Sequence, residues 1–524
     1  MIGLTARKRC CQIPTGQVIP IRNVLQYLER AASVSPAHTA CIDEIQSYTY
    51  QQVCHFSHTV GAALSWRIQP REPVAVYMEK GGPALCSFFG IVYAGGFYSY
   101  FNPELPASRL QQIQGVLQAR YVITDREHRE AIGEVFPSEA ILMVEDLMAA
   151  DADQSRLPAI RAAMIDTDPL YINFTSGSTG VPKGVLVSHR SVLDFIDVFT
   201  DTFSFTQADR IGNQAPLDFD VSVKDIYGAL KLQATLVLIP RRLFSRPKEL
   251  LDFLCEHQVT TLIWAVSALC LISTFHGLDY RTPDTVRNVL FSGEVMPLKH
   301  LKTWMEHLPR AQFVNLYGPT EITCNCTYHI LDRSRDYTAG IPIGRPFPNE
   351  EVFLLDENDR EIHDPEAIGE LCVRGTALAL GYYRAPEQTA AAFVPDPRNP
   401  AYPELIYRTG DLGRYNQDGE LVYSGRKDFQ IKHLGHRVEL EEIERAVSAL
   451  PGVERCCCVY QEEKQKIYGF YMGDIETSQL RRQLKEQLPY FMVPGVLTQV
   501  DQFPLTKNGK IDRKELLKGG KTHV

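Results

Sequence analysis

The chain has 524 residues, with 54 Lys and Arg against 63 Asp and Glu and a formal net charge of −9. That sign excludes a general nucleic-acid binder, whose phosphate contacts need a positive field, and 44% hydrophobic with 22% charged residues excludes a disordered or fibrous chain. The length suggests about three folding units. The 13 cysteines are odd in number and the first twenty residues hold no apolar run of signal-peptide length. They are read as free thiols of a cytoplasmic protein.

In chain order, the first notable stretch is residues 81–103, GGPALCSFFGIVYAGGFYSYFNP, which carries no charge and is long enough on paper to span a bilayer. Its Gly95-Gly96 pair and the aromatic run after it predict a buried helix, a tight turn and a strand instead. Up to about residue 430, short β-branched runs alternate with amphipathic stretches, the pattern of α/β layers built on parallel sheets. TLVLIP (235–240) and VTTLIWAV (259–266, after the helical KELLDFLCEH) are two such strands. Between 340 and 428 the rhythm changes to short strands joined by turns, VFLLDENDRE, GELCVRG and GELVYSGRKD, which predicts antiparallel hairpins. The last hundred residues predict an α+β unit with helices over 439–450 and 478–487 and strands around Cys457 and Tyr468. RCCCVY reads as a buried strand, since Cys456, Cys457 and Cys458 lack the C-x-x-C spacing of a metal site. A boundary near 425–428 divides the chain into domains 1–428 and 429–524.

The most informative segment is 171–189, YINFTSGSTGVPKGVLVSH. Thr175, Ser176, Gly177, Ser178, Thr179 and Gly180 follow an apolar strand and offer hydroxyls and unhindered backbone N–H groups suited to phosphate oxygens. Lys183 adds a point charge. A Walker-type loop fails, because Pro182 stands where its second glycine belongs and Gly184 where its Mg²⁺-binding hydroxyl belongs.

TSGSTGVPKG resembles the phosphate loop of the adenylate-forming superfamily, which includes acyl-CoA synthetases, luciferases and the adenylation domains of nonribosomal peptide synthetases. NLYGPTE (315–321), GELCVRG (369–375), YRTGDLGRY (407–415), GRKDFQIKHLGHRVELEEIE (425–444) and PLTKNGKIDRK (504–514) follow in the family's order, and the looser YTYQQV and YAGGFYSYFNP precede them. The resemblance implies a large α/β N-terminal domain of layered subdomains with a small β-barrel-like subdomain, and a small mobile α+β C-terminal domain. It also implies a two-step reaction: a carboxylate attacks the α-phosphorus of ATP to give an acyl-adenylate and pyrophosphate, and a thiol then displaces AMP. Lys510 would bridge the carboxylate and the α-phosphate, where negative charge accumulates. Glu321 would hold Mg²⁺ with the ATP phosphates, Thr320 would touch the α-phosphate, and Tyr317 would lie against adenine. Gly293, Glu294, Asn315 and Gly318 are further nucleotide-side positions. Asp411 would accept both ribose hydroxyls, with Arg426 assisting, and Asp428 would be the hinge that brings Gly435 to the site in the second step.

FDVSVKDIY resembles the segment of amino-acid-activating members in which an aspartate receives the α-ammonium; Asp220 matches it. The competing reading pairs Asp220 with Lys224, one helical turn on. The resemblance carries Val221, Lys224, Trp264, Leu290, Ser292, Leu316, Cys324 and Asn325 into the substrate pocket, with Trp264 as its floor and Leu316 narrowing it. The set is closest to stand-alone ligases that load D-alanine or glycine onto a carrier protein in cell-envelope (lipopolysaccharide or teichoic acid) modification. Glycine is favoured and D-alanine comes next, while Lys224 leaves open an acidic side chain such as glutamate.

The chain stops 14 residues after Lys510 with no carrier motif, so the expected partner is a separate phosphopantetheine-bearing carrier protein, steered by Lys507, Lys510, Arg513, Lys514, Lys518 and Lys521. No nucleic acid and no stable membrane insertion are expected. Two alternatives stand beside this: a CoA ligase for a small carboxylic acid, and a catalytically dead nucleotide-binding scaffold. Intact Lys183, Glu321, Asp411 and Lys510 argue against the second.

Overall fold

Apolar runs separated by amphipathic helices pair in parallel, as their sequence pattern predicts. In the computed structural model, which describes residues 10–12, 18–177, 180–365, 367–504 and 511–519, a nine-stranded sheet carries β1 (Arg210–Asn213), β2 (Thr235–Leu238), β3 (Thr261–Ala265), β4 (Asn288–Ser292) and β5 (Gln312–Tyr317). Its parallel core runs Thr39–Ile42, β2, β1, β3, β4, β5. Ser47–Thr49 closes one side in antiparallel pairing and Thr327–Ile330, then Arg345–Pro346, the other. Helix α1 (Val221–Leu232) connects β1 to β2. A second, seven-stranded sheet holds the parallel strands Pro73–Tyr77, Phe97–Tyr100, Val122–Thr124 and Ile141–Met143.

The two-residue period of a strand sorts the side chains of β3, β4 and β5 onto two faces. Ile263, Leu290, Val314 and Leu316 join a core with Val223 and Ile226 of α1 and with Val74, Val76 and Tyr98 of the seven-stranded sheet. Leu262, Trp264, Val289, Phe291 and Phe313 join a different core with Leu250 and Leu254 of the helix Pro247–Glu256. The uncharged stretch folds as the buried helix Gly82–Tyr93 and the buried strand Phe97–Tyr100. Among the described residues no helix is long and apolar enough to cross a membrane.

The turn-rich region makes an antiparallel sheet in which Gly369–Gly375 lies between Glu350–Leu355 and the long strand Leu405–Tyr415. A register shift between Glu370 and Cys372 bends it just where Asp411 leaves the ladder.

The chain divides into two units. The larger comprises Met1–Asn102, Ala119–Asn173 and Val185–Gly425; the smaller comprises Pro103–Gln118, Phe174–Gly184 and Arg426–Val524. In the smaller unit the hairpin Gln430–His433 with His436–Glu439 leads into α2 (Leu440–Ser448). Its two-residue turn, Leu434 (φ 52°) and Gly435 (φ 81°), needs the left-handed region at both positions, which glycine supplies without strain. Val453–Gln461 and Lys466–Gly473 pair antiparallel, and Thr477–Gln487 is the second helix. Cys456 and Cys458 face the core under α2, and Cys457 packs on the opposite face against Phe470 and Leu516. This explains why three successive cysteines are all buried. The eleven cysteines from Cys41 to Cys458 are free thiols.

Candidate active site

Ligand sites of parallel sheets form at the carboxyl ends of the strands, and several of the residues singled out in the sequence meet there within the larger unit. The register aligns Ala265 of β3, Ser292 of β4 and Leu316 of β5 in one row, with Ile263, Leu290 and Val314 in the row below. Both rows face α1. Trp264 is aligned with Phe291 and Asn315 and belongs to the opposite face. There it is fully buried, donates its Nε1–H to the Gly212 carbonyl at 2.8 Å and packs edge-on to Phe244. The expectation that Trp264 closes a substrate pocket is therefore corrected: strand alternation turns it away from α1, and Ala265 is the residue this strand aligns with Ser292 and Leu316.

Asp220 stands at the N-terminus of α1 and does not cap the helix with its side chain. Its backbone is held from two sides, by the Cys324 thiol donating to its carbonyl (3.0 Å) and by the Asn173 amide, whose oxygen accepts its N–H (3.2 Å) when the amide is turned over to satisfy both of its ends. One turn on, the buried Lys224 ammonium donates to Asn325 Oδ1 at 2.5 Å. The pairing of Lys224 with Asp220 considered in the sequence is thus replaced, in hydrogen bonding, by Asn325. Burial lowers the Lys224 pKa, opposed by the nearby Cys324, Asp220 and Asp225. The Asp225 carboxyl, which accepts from Asn213 Nδ2 at 2.7 Å, is pushed by burial up to about 7, and burial brings Lys80, bound to Asn213 and Gln214, down to about 7.

Asn325 reaches Lys224 because the chain turns sharply after the short 3₁₀ helix Thr320–Ile322. Thr323 (φ 56°) and Cys324 (φ 81°) both occupy the left-handed region, a cost of about 1–3 kcal/mol each that surrounding bonds must sustain. Thr323 Oγ1 donates to the Ala377 carbonyl (2.7 Å) and Cys324 to Asp220. The same segment passes against Gly318, where a Cβ would lie 2.5 Å from Asn325 Cα and 2.7 Å from the Cys324 oxygen. Gly318→Ala is expected to cost about 1–3 kcal/mol by overpacking; an unchanged Tm in thermal unfolding would mean that the segment yields freely.

Of the residues expected on the nucleotide side, some belong to the larger unit and others to the smaller. In the larger, Glu321 is fully buried and accepts from Tyr382 Oη at 2.7 Å. The Tyr317 hydroxyl donates to Asp411 Oδ2 at 2.5 Å, so one oxygen of the carboxylate expected to take both ribose hydroxyls already has a protein donor. Burial and the Asp411 charge push the Tyr317 hydroxyl far up. Asn315 donates to the Pro342 carbonyl at 2.9 Å, Gly293 (φ 97°) follows β4 with Glu294 next to it, and Thr320 opens the 3₁₀ turn.

In the smaller unit, Arg426 forms a two-pronged pair with Asp428 (2.6 and 2.9 Å). Burial would raise the Asp428 carboxyl, but the hydrogen bonds and charge of Arg426 hold it below the usual carboxylate range. Thr175, Ser176, Gly177, Gly180 and Lys183 lie in the loop segment Phe174–Gly184. Ser178, Thr179, Lys507, Lys510 and Lys521 lie outside the described residues.

The pattern of the AMP-binding enzyme family matches residues 28–383, and that of the AMP-binding enzyme C-terminal domain matches 442–510. The chain belongs to the AMP-binding enzymes. Among relatives, it is 32% identical over 506 residues to tyrocidine synthase 3 of Brevibacillus parabrevis, covering 94% of this chain and 8% of that protein. The chain spans about a fifth or less of the length of the curated relatives it first matches. Two solved structures share the fold at a TM-score of 0.81. IdnL1 is 27% identical, with 93% of this chain and all of that one covered. Holo-PA1221, an NRPS protein containing adenylation and PCP domains bound to a vinylsulfonamide inhibitor, is 26% identical, with 95% and 84% covered.

AMP-binding enzymes of this kind use ATP with Mg²⁺. Two observations fit this chain to them: Glu321 supplies the buried carboxylate that a hard cation prefers, and the buried Thr175 hydroxyl has no hydrogen-bond partner among the described residues. Sequence reasoning missed Ala265, Asn173 and Tyr382. Alternation within TLIWA carried a signal for Ala265; the other two act through contacts more than forty residues away in the chain and left none.

Proposed function

We propose that this AMP-binding enzyme activates a small amino acid, glycine first and D-alanine next, as its adenylate and passes it to the phosphopantetheine thiol of a separate carrier protein. The observation that carries the reading is the placement of Asp220 at the head of α1 with the Lys224–Asn325 hydrogen bond one turn beyond it. A carboxylate there suits an α-ammonium, and the Lys224 side chain, drawn across to Asn325, takes up room that a larger substrate side chain would need. Leu316, 2% exposed, narrows the same face. Similarity to PA1221, which joins adenylation and PCP domains, supports a carrier as acceptor.

In this reading Asp220 orients the amino acid, Asp411 and Tyr317 hold the ribose, and the loop containing Thr175 to Lys183 cradles the phosphates. Lys510 stabilises the charge that develops as the carboxylate attacks. Mg²⁺, held by Glu321, would offset phosphate charge. Asp428 serves as the hinge between the two half-reactions. ATP–pyrophosphate exchange with glycine, both alanines, glutamate and acetate tests the proposal: exchange with acetate and with no amino acid overturns it in favour of a small-acid CoA ligase.

A second reading follows from the buried ammonium itself, which a substrate carboxylate could pair by replacing Asn325, as for glutamate. Lys224→Met separates the two, since it keeps the length and removes the charge. Glycine exchange is expected to change less than about threefold, whereas glutamate exchange, if that is the native activity, should fall by about 10²-fold or more.

A further inference from the structure

Within the larger unit, residues 376–382 are hydrogen-bonded to the turn that carries Glu321. The Ala379 N–H donates to the Glu321 carbonyl at 2.8 Å, and the Ala377 carbonyl accepts from Thr323 Oγ1 at 2.7 Å. Farther along the same segment, the Tyr382 hydroxyl donates to Glu321 Oε1 at 2.7 Å. The segment is itself fastened elsewhere. Thr376 donates to Asp194 Oδ2, the Leu378 carbonyl accepts from Ser191 Oγ at 2.9 Å, and the Leu380 N–H donates to the Leu186 carbonyl at 2.8 Å.

Tyr382 is held as firmly as the carboxylate it meets. The strand Gly381–Tyr382 pairs antiparallel with Val185 and Leu186, the Tyr382 N–H donates to Thr389 Oγ1 at 2.9 Å, and its buried ring lies edge-on to Phe393 at 5.9 Å. Strand register fixes its backbone and Phe393 its ring, so the hydroxyl is presented to Glu321 at little further cost in side-chain freedom. An outer hydrogen bond of this kind orients a metal-binding carboxylate, and losing such a partner typically costs about 10–100-fold in metal affinity. The demand is strict for Mg²⁺, which requires near-octahedral oxygen geometry. If the hydroxyl served only to satisfy a buried carboxylate, its loss would have no special link to the metal.

We propose that Tyr382 is a positioning residue for Glu321, holding its carboxylate in one orientation for Mg²⁺, with residues 376–382 as the brace that keeps hydroxyl and carboxylate in register. Ala379 and Tyr382, three residues apart on that brace, fix the backbone carbonyl and the carboxylate of the same residue. The Glu321 side chain therefore cannot swing without breaking the Tyr382 bond, nor its backbone shift without breaking the Ala379 bond. Tyr382 acts through Glu321 and touches neither substrate nor metal. The inference rests on the reading of Glu321 as the Mg²⁺ carboxylate given above.

The test is titration calorimetry of the full chain with ATP, in Mg²⁺ buffer and again in EDTA, which needs no knowledge of the amino acid. Tyr382→Phe removes the hydroxyl and keeps the ring. Its ATP Kd in Mg²⁺ is expected to rise about tenfold or more, while its Kd in EDTA stays within about twofold of wild type. A merely structural role would move both values alike or neither, and either result overturns the inference. Glu321→Gln is the reference: it should lose most of the Mg²⁺-dependent tightening, and adding Tyr382→Phe to it should cost nothing further, as for residues that act in series. A further loss in the double variant overturns the inference. That comparison stands even if Tyr382→Phe alone does not fold, since replacing both partners leaves no unpaired buried carboxylate. Wild-type Mg²⁺ dependence in Glu321→Gln overturns the reading of Glu321 itself, and the inference with it.

Discussion

Asp220→Ala is expected to raise the amino-acid KM by about 10²- to 10³-fold in ATP–pyrophosphate exchange, the kinetic equivalent of about 3–4 kcal/mol for removing one partner of an enclosed ion pair. The ATP KM should move by less than about threefold, because a uniform loss of amino-acid binding leaves the nucleotide side untouched. The expectation rests on how Asp220 is held. Its carbonyl and N–H are fixed by Cys324 and Asn173, so truncating the side chain leaves the backbone of the site in place. Asp220→Asn should lie between, since it keeps a hydrogen-bond acceptor and loses the charge. An unchanged amino-acid KM in Asp220→Ala would place the ammonium elsewhere and remove the ground for preferring an amino acid over an acyl substrate.

Lys510→Ala is expected to reduce adenylation by about 10²- to 10³-fold, the usual scale for losing a charge aimed at a developing anion, while the ATP Kd changes little. The attack joins two negatively charged groups, so a cation that acts mainly in the transition state should show in kcat and kcat/KM together and hardly in binding. Transfer from a chemically supplied aminoacyl-adenylate should survive the substitution, because the thiol step displaces AMP without that bridge. Exchange near the wild-type rate would end the assignment.

Much of the proposed site could be named from the chain because its motifs are local. The hydroxyl and glycine loop at 175–180, the NLYGPTE run and the TGDL aspartate each keep the groups proposed to act within a few residues. Strand positions in TLVLIP, KELLDFLCEH as a helix and the uncharged 81–103 stretch as helix, turn and strand could likewise be read from spacing alone. Helix ends shifted by a residue or two, as at α2, where local signals are weakest.

Trp264 shows where that reading stops. Its place in the motif spacing pointed to the pocket, but one residue along a strand reverses the face, and β3 is buried on both sides. Hydrophobicity therefore carries no mark of which side is which. Only the pairing of β3 with β4 and β5 puts Ala265 beside Ser292 and Leu316.

By itself the sequence determined the layered α/β class, which depends on composition and short-range periodicity, and the order of its motifs, whose resemblance to the adenylate-forming superfamily supplied the groups proposed to bind phosphate, metal and amine. The tertiary structure alone decided which partners those groups have: Asn325 for Lys224, Tyr382 for Glu321 and Tyr317 for Asp411. Such pairs span from about 60 to about 100 residues of chain, and the free energy that selects them comes from burial and from satisfying polar atoms inside the fold, which no local stretch of sequence encodes.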